Sequence, residues 1–327
     1  MEVRVIKGTW AEVVPLALLP AALDDPEAVV WVDIPECDEE SLTVLRDIFG
    51  FHAVALWECR ERQRMPKFHP YSDHVFVVLH APMLGRHGHV HYVELDQFIS
   101  QRYLVTVHGP TNPAVPAHVP LRDTSLVWER IEAGRFRPLS AFDLSRSIVA
   151  SMCEGMEETL EVVTEGVWAL EQRVTLGKMG DPEVFLDEMF RTRHALLAVA
   201  NVSSTGGEVY ERMTSSARGV ADSERRHLAD NIDQFRRVQR LAAGQREYLQ
   251  GVIEFYRTRT DVKMTIAAER LAVIAVVTLP ITALASILGM NVIVNSRTAE
   301  APLAVALVVM ITMSAILLRW ARHQGWW

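Results

Sequence analysis

A chain of 327 residues has room for two soluble domains and more, and its formal net charge of −8 argues against a nucleic-acid partner. An acidic surface suits a cation partner and equally suits ordinary solubility. Three widely spaced cysteines, Cys37, Cys59 and Cys153, form neither a disulfide framework nor a zinc knuckle and fit a reducing cytoplasm.

The first residues, MEVRVIKGTW, have neither a basic start nor an apolar core, so no secretory signal is expected. Strand character appears at Val3–Ile6, Val29–Asp33, Val54–Leu56, His74–His80, Val90–Val93 and Tyr103–His108. The apolar run Val13–Leu23 is short, contains Pro15 and Pro20, and reads as a soluble segment. Glu39–Phe49 reads as a helix between strands. Residues 1–138 are therefore expected to form an α/β domain. Gly85–Gly88 reads as a hairpin turn, and the proline-rich Gly109–Pro120 as a linker or exposed loop.

From residue 139 the pattern turns helical. Ser140–Leu176 repeats Glu, Val and Leu at spacings of three and four and stops before Gly177. Asp181-Pro182-Glu183 is a helix start: a capping acid, proline at the first position, then a second acid. That helix is expected to reach about Met213, with Gly206-Gly207 as a candidate interruption. A last helix begins near Asp222 and meets no strong breaker before Pro280. The region 139–270 is thus expected to be helical and to include a long stalk helix.

Leu271 to Met290 holds twenty residues without a charge. At about 1.5 Å per residue they cover about 30 Å, the thickness of a bilayer's hydrocarbon core. The expected organisation is a first span at 271–291, a short loop at 292–300, a second span at 301–318 and a tail at 319–327. Arg319 and Arg322 satisfy the positive-inside tendency, and Trp320, Trp326 and Trp327 suit an interface. A multi-pass protein of the cytoplasmic membrane follows, with the N-terminal domain and tail in the cytoplasm and the loop outside. A bare anchor is the plain reading of such a hairpin. Against it, Thr278, Thr282 and Ser286 make one helix face weakly polar, Pro280 sits mid-span where it would kink or loosen the helix, and Gly289-Met290-Asn291 closes it with a carboxamide.

Leu279-Pro280-Ile281-Thr282, then Gly289-Met290-Asn291, one further span and a basic end resemble the CorA family of divalent metal cation transporters. The resemblance continues upstream in Gly50-Phe51-His52, in Pro66-Lys67, in Tyr71-Ser72-Asp73-His74 with the strand after it, and in Tyr103–His108, so it covers most of the chain. It implies a funnel-shaped homopentamer whose long helices form a cytoplasmic funnel. It also implies transport of Mg²⁺, with Co²⁺ or Ni²⁺ as passengers, and feedback by the same ion from inside the cell. A zinc-transporting branch of the family and a non-conducting, membrane-anchored cation sensor are the alternatives. No phosphate-cradling loop, His-Glu-x-x-His or Gly-x-Ser-x-Gly occurs, so neither an enzyme nor a cofactor other than the ion is expected.

Positions seven apart before Thr282 are Ala275, Ala268, Asp261, Glu254 and Glu247. A straight helix drifts about 20° per heptad, so from Asp261 to Thr282 the drift is about 60° and these residues stay roughly on one side. Several copies around an axis would stack the acids into rings that concentrate cations. A solvated face of scattered acids, mixed with Arg246, Arg257 and Arg259, has the same pattern. The resemblance implies that Ala268, Leu271, Ala275, Leu279 and Thr282 line the pore, with Leu271 and Leu279 as its apolar gate. Ala268 and Thr265 depart from the family, which often has larger or amide side chains there.

Asn291 is the expected selectivity residue, with Gly289 and Met290. Neutral carboxamide oxygens can bond a hydrated Mg²⁺ without stripping its water. A helix C-cap with a left-handed Asn is the bland reading. The loop VIVNSRTAEAP is the largest departure, since only Glu300 is acidic and Arg297 opposes it. By resemblance, Asp230 in Asp230-Asn231-Ile232-Asp233 and Glu58, where the family has Asp, form the regulatory cation site together with Asp233. His87, His89 and His91 alternate, which in a strand would put them on one face able to bind zinc or nickel; a solvated hairpin tip is the alternative.

Overall fold

The computed structural model describes residues 1–85, 88–215, 220, 222–292 and 300–323, without the side chains of 287, 288, 290–292 and 300–303. Two units result, Met1–Val252 and Ile253–Trp327.

The first unit is built on a seven-stranded sheet: β1 (Glu2–Lys7), β2 (Trp10–Val14), β3 (Val29–Ile34), β4 (Lys67–Pro70), β5 (Val75–Leu84), β6 (Val90–Ile99) and β7 (Tyr103–His108). Their order is β2-β1-β3-β7-β6-β5-β4, and only β3 and β7 pair in parallel. Strand alternation explains how both faces come to be covered. Val30, Val32, Ile34, Phe76, Val78, Phe98, Val105 and Val107 share a core with Val44, Leu45, Ala55 and Cys59 of α2 (Glu39–Asp47) and α3 (Ala53–Arg60). The alternate residues Trp31, Gln97 and Thr106 face the other layer. There Trp31 stacks edge-on against Trp128 of α4 (Arg122–Glu132), and Gln97 accepts from Ser145 of α5 (Ala141–Leu176). α1 (Leu19–Asp24) follows β2.

Three expectations need correction in this unit. Val54–Leu56 is helical, not a strand: the Val54 N–H is capped by His52 Nδ1 at 3.2 Å, and Ala55 and Cys59, one turn apart, are buried. Three apolar residues are too few to display a period. β2 and β4 were absent from the expectation because both are short strands at the sheet's edges, where one flank carries no partner strand among the described residues. β6 runs to Ile99 rather than Val93, because Glu94, Asp96 and Gln97 are polar yet paired in the sheet.

α5 starts on a Ser140 cap, whose hydroxyl accepts from Asp143 N–H at 3.1 Å, and stops at Gly177 with φ of 72°, where a left-handed backbone favours glycine. α6 (Pro182–Ser215) passes through Gly206-Gly207 without a break. The reason is packing: a Cβ on Gly206 would sit 2.7 Å from the Phe235 ring, so glycine lets α6 approach α7 (Arg225–Val292).

The second unit holds the end of α7 and α8 (Glu300–His323). α7 continues through Pro280, and both helices are long and apolar enough to cross a membrane. Large apolar side chains lie open along them, among them Ile274 on α7 and Val305, Val308 and Ile311 on α8, a surface suited to lipid or to other chains.

Candidate functional site

The proposed conduction face lies on α7. Glu247, Glu254, Asp261, Ala268 and Thr282 are exposed, and Ala275 is half-buried. Leu271 and Leu279 are each 67 % exposed, far from the burial that an apolar side chain finds in a single-chain core. Thr278 and Thr282 donate their hydroxyls to the carbonyls of Ile274 and Thr278, each at 2.8 Å. These bonds satisfy the donors inside the apolar span and leave the oxygen lone pairs as the free polar feature of that face. Among the described residues, nothing lies within reach of a Cβ added at Gly289. The backbone stays helical through Asn291 to Val292, in place of the left-handed cap. The side chains of Met290 and Asn291 and the loop at 293–299 lie outside the described residues, as do Trp326 and Trp327.

The two halves of the expected regulatory site have opposite surroundings. Asp230 and Asp233 are exposed on α7, while Asn231 and Ile232 between them are buried. Glu58 is only 8 % exposed. Its Oε1 lies 2.7 Å from Lys67 Nζ, and its Oε2 lies 3.3 Å from His69 Nε2. Alternation along β4 places Lys67 and His69 on the face that α3 covers.

Behind this pair, sequence reasoning missed a buried polar layer. Glu94 and Asp96 share one face of β6 and stand opposite His80 and Val78 of β5. Glu94 Oε2 accepts from Gln63 N–H at 2.8 Å and lies 3.7 Å from His80 Nε2. Asp96 is wholly enclosed, and neither of its carboxylate oxygens meets a hydrogen-bond partner among the described residues. Burial, then the charge of Glu94, holds its carboxyl well above the usual carboxylate range. The signal in the sequence was the Glu-x-Asp spacing inside a strand.

A second network occupies the opposite face. Asp33 Oδ1 accepts from Thr106 Oγ1 at 2.5 Å and lies 3.0 Å from His108 Nε2; its Oδ2 is 3.4 Å from Arg4 Nη2. The Arg4 guanidinium sits 4.2 Å from the Trp31 ring centroid and 5.0 Å from that of Trp128. Burial alone would raise the Asp33 carboxyl, but the His108 hydrogen bond and the His108 and Arg4 charges outweigh it and hold it below its ordinary value.

The described histidines of the trio do not share a strand, since only His91 lies in one. His91 lies in β6, His89 just before it, and His87 falls outside the described residues. Among the described residues, no three His, Cys, Asp or Glu side chains converge as a metal site.

The family model for the CorA-like Mg²⁺ transporter protein matches residues 26–323. The chain belongs to the CorA family. Its α/β domain, long helix and two apolar C-terminal helices have the CorA architecture: the CorA magnesium transporter of Methanocaldococcus jannaschii superposes with a TM-score of 0.80 at 15 % identity, over 100 % of this chain and 99 % of that one. The full-length CmaX protein gives 0.75 at 16 % identity, over 98 % and 97 %. In sequence, the chain is 21 % identical over 302 residues to YfjQ of Bacillus subtilis, described as a candidate metal ion transporter, covering 90 % of this chain and 89 % of that protein. The CorA family moves divalent metal ions across membranes, and this member carries two helices suited to that setting.

Proposed function

We propose that the chain is one subunit of a homopentameric divalent-cation channel, with Mg²⁺ as the principal ion and Co²⁺ or Ni²⁺ as lesser ones. The observation that carries this reading is α7 itself. One unbroken helix bears exposed carboxylates at Glu247, Glu254 and Asp261, then exposed leucines at Leu271 and Leu279, then Gly289-Met290-Asn291. Around a shared axis, the acids concentrate cations, Leu271 and Leu279 close a dewetted gate with Ala268 and Ala275 between and below them, and Thr282 offers oxygen above. A ring of Asn291 carboxamides selects the hydrated ion at the outer mouth. The N-terminal domain lies in the cytoplasm, where cation at Glu58 and at Asp230 and Asp233 of a neighbouring copy favours the closed pore.

Purified protein in liposomes loaded with an Mg²⁺-sensitive dye tests the reading. External Mg²⁺ should enter, and entry should stop when Mg²⁺ is raised on the side of the N-terminal domain. Asn291→Ala should abolish the preference for Mg²⁺. Flux and selectivity unchanged in Asn291→Ala would remove the selectivity role. Entry of Zn²⁺ alone would move the protein to zinc transport, and entry of neither ion would leave a sensor.

A further inference from the structure

Charge on the membrane-proximal part of α7 is sorted by face. A helix turns about 100° per residue, so positions nine apart stand about 180° apart. Lys263 is nine residues after Glu254, and Arg270 is nine after Asp261. The two bases, seven apart, therefore share the face opposite the two acids. All four side chains are exposed, while Glu269, about 100° round from Arg270, is half-buried. α8 ends in a second basic group. Arg319, Arg322 and His323 are exposed there, Arg319 and Arg322 share a face at spacing three, and the exposed Trp320 stands between them in sequence. No acid follows Glu300 in the sequence. Among the described residues, Lys263, Arg270, Arg319 and Arg322 meet no carboxylate at ion-pair distance.

Depth decides what these bases meet. Arg270 and Arg319 directly flank the two apolar stretches, beside Leu271 and Leu318. Arg322 is three residues, about 4.5 Å, beyond Arg319, and Lys263 is eight residues, about 12 Å, before Leu271. The headgroup layer adds roughly 5–8 Å to each side of the hydrocarbon core. The three arginines thus fall within that layer, and Lys263 lies less than one Debye length, about 8 Å, beneath it. Two adjacent spans return the chain to the side it started from, so both basic groups meet the same leaflet. The guanidinium fork matches phosphate oxygens two at a time, and lysine supplies a point charge.

We infer that Lys263, Arg270, Arg319 and Arg322 form a docking surface for the anionic phospholipid headgroups of the leaflet at which α7 enters the membrane. Lipid phosphates supply the counter-charge that the chain's own acids do not, and they hold α7 at a fixed depth. The inference rests on α7 and α8 as spans and not on the ion they carry. It gives the two faces of α7 different partners: acids toward a shared axis in the proposed pore, bases toward the surrounding lipid.

The test uses the full-length protein in vesicles of phosphatidylcholine with increasing phosphatidylglycerol, one of the two lipids brominated at a time. The signal is the part of the tryptophan quenching that Trp320→Phe removes. One base at a membrane surface favours anionic lipid by about fivefold, or about 1 kcal/mol. Wild type should prefer phosphatidylglycerol by about tenfold or more, and the preference should collapse at about 1 M salt, where the Debye length is about 3 Å. Lys263→Gln with Arg270→Gln, and Arg319→Gln with Arg322→Gln, should each lower it by about threefold or more. Lys263→Arg with Arg270→Lys keeps the charge and should retain it, which separates lost charge from a damaged fold. Equal binding of the two lipids by wild type, a preference that survives high salt or both neutralised pairs, or its loss in the charge-conserving pair overturns the inference. So does an oligomer that falls apart in lipid-free detergent on Lys263→Gln with Arg270→Gln, since these bases would then pair with acids of a neighbouring copy. Cation flux is not the readout, so failure of the channel reading leaves this result standing and the reverse holds too.

Discussion

Arg4→Met probes the buried charge network that ties the sheet to α4. Arg4 is 5 % exposed and makes three favourable contacts: Nη2 to Asp33 Oδ2, Nη2 to Glu2 Oε2 at 2.7 Å, and its guanidinium plane against two indole rings. Removing one partner of a buried ion pair costs about 3–5 kcal/mol, because the other charge stays behind. A desolvated cation–π contact adds about 2 kcal/mol. Two offsets apply. Arg4 Nε and Nη1 have no hydrogen-bond partner among the described residues, and methionine removes both of those donors while keeping much of the volume. His108 and Thr106 also continue to hold Asp33. The net expectation is a loss of about 2–4 kcal/mol, or a fall in Tm of about 5–15 °C for a unit of this size. The assay is thermal unfolding of the full chain in detergent, followed by tryptophan fluorescence, since Trp31 and Trp128 flank the site. Because the folded Asp33 carboxyl lies below its ordinary value, its stabilisation is present above about pH 3.9 and is lost as pH falls through the folded pKa. The gap between wild type and variant should therefore narrow in acid. In an Asp33→Asn background, Arg4→Met should cost less by about 1–3 kcal/mol. A Tm within 1 °C of wild type, or the same loss in both backgrounds, would refute the ion-pair account.

Asp96→Asn should stabilise the protein, because an enclosed acid with a raised folded pKa favours folding below the ordinary carboxylate pKa and loses that contribution as pH rises. The gain, read from Tm between pH 5 and 8, should grow by up to about 1.4 kcal/mol per pH unit; a lower Tm at pH 8 would contradict the burial argument. Gly206→Ala should lower Tm by a few degrees, since overpacking against Phe235 costs about 1–3 kcal/mol and outweighs a helix-propensity gain of about 1 kcal/mol. Adding Phe235→Leu should recover part of that loss, and no recovery would place the strain elsewhere. Leu279→Asn should wet the proposed gate and raise cation entry several-fold at high internal Mg²⁺ in the liposome assay, whereas unchanged entry would remove Leu279 from the gate.

The membrane helices, the α/β class and the family were legible in sequence because each is encoded locally. A charge-free stretch as long as Leu271–Met290 has few other fates. The caps at Ser140 and Asp181 likewise act within one turn of their own helix. What the sequence could not show depended on residues distant along the chain. Val54–Leu56 became helical because His52 caps it and the sheet buries Ala55 and Cys59. Glu58 gained its two partners only when β4 folded against α3 and brought Lys67 and His69 to its two oxygens. Arg4 meets Asp33 only because β1 and β3 are neighbours in the sheet, and Asp33 meets His108 only because β3 and β7 pair in parallel. Burial and charge pairing are properties of neighbours in space, so the tertiary structure alone decided which carboxylates stay free and which are neutralised.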